Sequence, residues 1–266
     1  MTPMRIWYQS FTDPAETKLY HDRLTAFVNR IARPGTRIDV VGMTPPSRRH
    51  RSTEMRCAVD VVKNAIRAER EGYDAFLLGH FQDSGLWEAR SAAKLPVIGL
   101  GESAMLHACT LGRKVGLITI HPVHIPYHEE QILRYGLQKR VTLVTAVDSS
   151  PNDYVAGLRD PKHAKKVGRA YAERVRWLTN QQIEVVVPAG GFPSLVVGPM
   201  LQAAAKPAVF LDSIYAAVKA AEAAVDFQRY NGTATSRLLT FQLPSDLAYE
   251  ALGMPMKKAV AKKKRG

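Results

Sequence analysis

The chain is 266 residues long, 46% hydrophobic, and carries a formal net charge of +13. That length suits one large domain or two modest ones with a buried core. No stretch approaches the roughly 20 apolar residues of a membrane span, and the N-terminus lacks the apolar core of a signal peptide, so a cytoplasmic globular protein without membrane contact is expected. The charge does not call for nucleic acid: Lys257, Lys258, Lys262, Lys263, Lys264 and Arg265 crowd the last ten residues without interleaved aromatics, and the cation excess favours small anionic substrates such as carboxylates.

The first strand is expected at Arg5-Ile6-Trp7-Tyr8, ending in Gln9-Ser10-Phe11-Thr12-Asp13-Pro14. Thr12 or Asp13 can cap a helix with Pro14 in its first turn and a stripe of Leu19, Leu24, Phe27, Val28 and Ile31. A strand over residues 37–41 precedes a Pro- and Arg-rich loop over residues 45–51. A long helix over 54–71 follows, with Cys57, Val61, Val62 and Ala65 on one face and Gly72 as its stop. Next, the apolar run Ala75-Phe76-Leu77-Leu78 breaks into Gly79-His80-Phe81-Gln82-Asp83-Ser84-Gly85, and a helix-like segment resumes at Leu86. In an open parallel sheet the loop beyond a strand's carboxyl end lies at the ligand-binding crevice, so this loop is where the working residues are expected. The strand around Pro96-Val97-Ile98-Gly99 completes a β-α alternation, which implies a parallel sheet covered on both faces. Cys57 and Cys109 sit far apart in helix-like segments and read as buried free thiols rather than a disulfide or metal site.

The second half repeats this grammar, with strands expected at 115–119, 141–145, 185–187 and 208–211 and helices at 129–135, 162–180 and 194–205. An alanine-rich amphipathic helix over 213–227 closes it. An internal repeat is visible: Tyr73 to His80 lies over Ile183 to Gly190 at a shift of 110 residues. The expected architecture is therefore α/β, with two pseudo-symmetric lobes, each a four-stranded parallel sheet flanked by helices, and the site in the interlobe cleft. Residues 1–103 and 212–250 would form the first lobe, 104–211 the second, and 251–266 a basic disordered tail. The loops at His80 and at Gly190-Gly191-Phe192 would face each other.

With both loops in view, the chain resembles the aspartate/glutamate/hydantoin racemase superfamily up to Tyr230. The segments that carry the likeness run from Gly79 to Leu86, Pro96 to Met105, Gly112 to Thr119, Arg134 to Leu137, Val187 to Gly191 and Ala216 to Glu222. The resemblance implies a cofactor-free proton transfer at a carbon next to a carbonyl, in a small carboxylate or cyclic imide. One cysteine in each facing loop would exchange the proton, while backbone N–H groups and small hydroxyls hold the oxygen that gains charge. It also implies a last helix that returns to pack on the first lobe, and a homo-oligomer. This chain departs where it matters most: His80 stands at the first cysteine position and Gly190 at the second, so the two-thiol mechanism is not available.

An imidazole with an ordinary pKa of about 6.5 can act as base or acid near neutral pH, which makes His80 the expected acid/base. His121, beyond the strand ending at Thr119 and set opposite Ser10 by the repeat, is the expected second acid/base. The spacing of His121, His124 and His128 across two prolines is not a zinc pattern, and no metal is expected. Gln9, Ser10, Phe81, Gln82, Asp83, Ser84, Thr119, Gly190 and Gly191 are the expected substrate contacts, with the glycines admitting backbone N–H groups close to a substrate oxygen. Glu102 is a further residue that could orient the site. Three functions stay open: a racemase or isomerase of an amino-acid derivative, hydantoin-like ring or carboxylate; a one-base decarboxylase, lyase or hydrolase of the same superfamily; and a non-catalytic small-ligand-binding protein.

Overall fold

Residues 3–47 and 50–255 are described in the computed structural model; the Arg48-Arg49 pair and the lysine-rich run after Pro255 lie outside them. Two four-stranded parallel sheets organise the chain. The first has the order β2 (Thr36–Val41), β1 (Met4–Gln9), β3 (Ala75–Leu78) and β4 (Val97–Gly99). The second has β6 (Val141–Ala146), β5 (Val115–Thr119), β7 (Val185–Ala189) and β8 (Val209–Phe210). The two orders are the same, as the internal repeat requires. The 110-residue shift that carries β3 onto β7 also carries β1 onto β5.

Period-two alternation sorts each strand's side chains between two layers. Ile6, Tyr8, Ala75 and Leu77 of the first sheet and Val115, Leu117, Val185 and Val187 of the second share one central core. That core is completed by α1 (Lys18–Ile31), α4 (Leu100–Leu111) and α9 (Ser213–Asn231), with Leu24, Val28, Ala104, Ala108, Ala217 and Ala221 buried in it. Trp7, Phe76 and Leu78 face outward against α2 (Arg51–Arg70) and α3 (Leu86–Ala92). Ile118 and Val186 do the same against α7 (Pro161–Asn180) and α8 (Gly191–Ala204). Burying a large side chain of this kind contributes about 1.5–3 kcal/mol, so a slip of one residue in a central strand, which exchanges the two layers, is strongly disfavoured. Small side chains on α4 and α9 let these helices pass between the sheets and pack on each other.

Several boundaries differ from the sequence expectation. The first helix starts at Lys18, because Asp13 accepts the Ala15 N–H and the Thr17 N–H reaches the Asp13 carbonyl, which makes residues 13–17 a separate turn. The second begins at Arg51, one turn earlier than expected, with His50 at its cap. The helix expected over 129–135 is α5 (Ile125–Arg134), preceded by a 3₁₀ turn at Pro122–His124. Both prolines occupy first-turn positions, where a missing N–H costs nothing. Two helices were not expected: α6 (Pro151–Arg159), whose Ser150/Asp153 capping box was legible, and α10 (Asp246–Ala251). The strand β7 runs through Pro188. The carbonyls of Glu184 and Val186 face β8, so by the period of two the Pro188 nitrogen faces the same side, beyond the end of that short strand, and no ladder donor is lost.

Candidate active site

The carboxyl ends of β1, β3, β5 and β7 converge on a cavity of about 120 Å³. Ser10, Phe11 and Thr12 follow β1, Gly79 to Gln82 follow β3, Thr119 and Ile120 end β5, and Ala189 to Pro193 lead from β7 into α8; all of these line it. Helices contribute Glu54 from the first turn of α2 and Tyr20 from the first turn of α1. The sequence-predicted His80, Ser10, Phe81, Gln82, Thr119, Gly190 and Gly191 are thus brought together.

The loop after β3 is held tightly. A Cβ on Gly79 would fall 2.0 Å from the Tyr8 ring, so only glycine lets the chain leave the sheet here and turn His80 inward. The His80 ring stacks on Phe11, centroids 4.1 Å apart and 8° from parallel. Its Nδ1 is buried, has no hydrogen-bond partner, and lies 3.7 Å from Glu54 Oε2. The side chain is 18% exposed, and that exposure lies on the rest of the ring, Nε2 included. Burial pulls the His80 pKa below its ordinary value against the opposing pull of Glu54, so the resting ring is neutral and can accept a proton. Glu54 is 7% exposed and accepts hydrogen bonds from the Ser47 hydroxyl and, at 2.9 Å, from Ser84. Burial raises its pKa, but the positive charge that His80 carries when protonated, the two hydroxyls and His124 together pull it below its ordinary value. A shift of about 1 Å would close the Glu54–His80 approach to a hydrogen bond.

The N-terminus of α8, which also lines the cavity, opens without a side-chain cap. Gly190, with φ of 141°, holds a backbone shape that side chains rarely adopt, and a Cβ on Gly191 would meet the Tyr20 hydroxyl at 2.5 Å. Tyr20 stacks on Phe192 at 4.1 Å between centroids. Backbone N–H groups of this first turn, together with the helix dipole, suit a carboxylate or an oxygen gaining negative charge.

Four expected site residues do not line the cavity. Gln9 is fully buried, its amide donating to the carbonyls of Ser10, Val41 and Gly42 while its oxygen accepts from Trp7 and Asn64; it ties the ends of β1 and β2 together. Asp83, at φ 54°, accepts from the N–H groups of Gly101 and Glu102, the Gln131 amide and the Tyr135 hydroxyl. It fastens the His80 loop to α4 and α5. Burial pushes its pKa up to about 7 against the pull of those donors. Ser84 supports Glu54 instead of facing the cavity. The 110-residue shift carries Ser10 onto Ile120, which does line the cavity, while His121 turns away: its Nδ1 accepts from the Val123 N–H and its Nε2 lies 3.5 Å from Asp148.

The histidine delivered to the cavity by that segment is His124, 5% exposed, with the Gln82 amide 3.1 Å from its Nδ1. His128, fully buried beneath it, contacts the Thr119 hydroxyl at 3.1 Å, and burial pulls its pKa down to about 4. Glu102 pairs bidentately with Arg90. Cys57 is buried, its thiol pushed up to about 11, and Cys109 is half-buried; neither lines the cavity. Among the described residues no cluster of three His, Cys, Asp or Glu could hold a metal ion, and no helix is long and apolar enough to cross a membrane.

A family model described as Asp/Glu/Hydantoin racemase matches residues 13–221. A hydantoin racemase of Rhizobium meliloti is 30% identical over 209 residues, covering 76% of this chain and 79% of the relative. A second hydantoin racemase, of Pseudomonas sp. (strain NS671), is 28% identical over 189 residues, covering 71% and 72%. Among solved structures, an allantoin racemase from Klebsiella pneumoniae superposes with a TM-score of 0.75 at 23% identity, over 91% of this chain and 94% of that one. The family match starts in the turn after β1, ends within α9 and takes in every strand but β1 and the cavity-lining segments after β3, β5 and β7; the chain belongs to the Asp/Glu/hydantoin racemase family.

Proposed function

We propose that the protein is a cofactor-independent isomerase that racemises a small hydantoin-like ring or related carboxylate by proton transfer at the carbon next to the carbonyl, with His80 as acid/base. The observation that carries this reading is the placement of His80: neutral, stacked on Phe11, its Nδ1 turned to an ionised buried carboxylate, and its open edge on the cavity. Nε2 takes the α-proton, and the electron pair left on carbon moves onto the carbonyl oxygen. That oxygen is held by N–H groups at the start of α8, and Glu54 stabilises the imidazolium that forms. On this reading residues 1–103 with 212–250 make one lobe and 104–211 the other, and the reaction occurs between them. The two hydantoin racemases and the family match support the substrate class.

A second reading, one-base chemistry such as decarboxylation, elimination or hydrolysis, is favoured by the fact that Glu54, His80 and His124 all sit at one end of the cavity. Incubation of single enantiomers of 5-benzylhydantoin and allantoin in D₂O separates the two. The first reading predicts deuterium at C5 together with decay of optical activity; deuterium uptake with full retention would mean that a single base acts and favour the second, and neither change on either compound would reject the first.

A further inference from the structure

Racemisation needs a proton donor for the second face of the carbon, and the family's second thiol is replaced by Gly190. Two hydroxyls on the cavity wall are backed by buried imidazoles, one in each lobe, and in each the histidine lies nine residues after the threonine. Thr12 Oγ1 lies 2.8 Å from His21 Nε2, and Thr119 Oγ1 lies 3.1 Å from His128 Nε2. Thr12 is also 2.9 Å from the Ser10 hydroxyl, so a continuous hydrogen-bonded chain runs from the cavity to His21 on α1.

The two pairs are not equivalent. His128 packs edge-on against Phe81, the neighbour of His80, and a proton there would face the charge that forms on His80. His21 lies at the end where α1 meets α8, next to Tyr20, which covers Gly191. Burial pulls the His21 pKa below its ordinary value, while the Thr12 carbonyl and the carboxylates of Asp13 and Asp22, the charged groups that act on it, pull the other way and favour an imidazolium. The backbone carbonyl of Thr12, 3.2 Å from the same Nε2, offers a second acceptor for its proton. Phe11 points to His80, while Ser10 and Thr12 on either side of it turn to each other and to His21, so the loop after β1 divides the acid/base groups between two parts of the wall.

We infer that Thr12, backed by His21, is the second proton donor and acceptor of this site, serving the face of the substrate carbon that His80 does not reach. This rests on the racemase reading above. In one direction His80 Nε2 removes the α-proton. The Thr12 O–H bond breaks to deliver a proton to the opposite face, the enolate electron pair forming the new C–H bond. The Thr12 oxygen then takes the Nε2 proton of the His21 imidazolium, leaving His21 neutral. The reverse direction runs the same transfers backwards, so the working enzyme holds one proton between His80 and His21, and no other reactant is consumed. Thr12 touches the substrate; His21 acts through it.

The test follows one enantiomer of 5-benzylhydantoin in D₂O with wild type, Thr12→Val, Thr12→Ser and His21→Gln, reading deuterium at C5 and optical inversion separately. Thr12→Val and His21→Gln are expected to raise the ratio of exchange to inversion by about 10² or more, the scale of one lost acid/base group, while Thr12→Ser, which keeps the hydroxyl, stays near wild type. Equal loss of exchange and inversion in both Thr12→Val and His21→Gln would mean that the pair only holds the loop, and an unchanged ratio would mean that it moves no proton; either result overturns the inference. A wild type that neither exchanges nor inverts would instead reject the parent reading.

Discussion

Glu54 is what turns His80 from a loop histidine into an acid/base group. The sequence placed Glu54 only at a helix start, because nothing in a linear pattern says that the first turn of α2 will lean over the end of β3. His80 was legible from its position after a strand; its partner depended on tertiary packing. Replacing Glu54 with Gln keeps the shape but removes the charge that stabilises imidazolium, and kcat/KM for C5 deuterium exchange should fall on the order of 10–10² with little change in KM. The pH profile carries the sign. The base must be neutral, and burial holds the His80 pKa below its ordinary value. Wild-type exchange should therefore be flat from about pH 8 to about 6.5 and fall only below that. In Glu54→Gln, which loses the upward pull of the carboxylate, the acid limb should move lower still; a limb above pH 6.5 in the wild type would mean that some other group is titrating.

Among the elements, the loop from Gly79 to Gly85 and the start of α4 are joined through Asp83, and this junction positions His80. Sequence reasoning took Asp83 for a substrate contact because it sits in the right loop. Its left-handed backbone shape and its donors on α4 and α5 turn it inward instead. The exchange of His121 for His124 has a similar cause: His121 caps the 3₁₀ turn Pro122–His124, its Nδ1 taken up by the Val123 N–H, and that turn brings His124, three residues on, to the cavity. Asp83→Asn would put an amide NH₂ among four donors, and a buried unsatisfied group costs about 1–3 kcal/mol. Urea unfolding should show that loss, and exchange should fall with it because the His80 loop loses its anchor. A variant as stable and as active as wild type would leave Asp83 without a positioning role.

At the scale of the whole molecule, the α/β class, the two lobes and the repeat were readable, since parallel strands buried on both faces leave apolar runs and the two halves still share turn signals. The cavity was readable only in part: its loops were expected, but Tyr20, Glu54 and His124 were not, because their arrival depends on tertiary packing such as that of Gly79 on Tyr8 and Gly191 on Tyr20. His128 is fully buried and held neutral, with a pKa of about 4. The unfolded chain takes up this proton near pH 6.5 and the folded one only near 4, so this contribution, on the order of 3 kcal/mol, is present above about pH 6.5 and is lost as the pH falls to about 4. The stability gap between wild type and His128→Gln should accordingly narrow over that window in urea titrations. The central claim is that His80 moves the proton. The most direct measurement is deuterium incorporation at C5 of a single enantiomer of 5-benzylhydantoin, followed by NMR for wild type and a folded His80→Asn variant: the rate should fall at least about 10²-fold, and a variant that exchanges at the wild-type rate would contradict it.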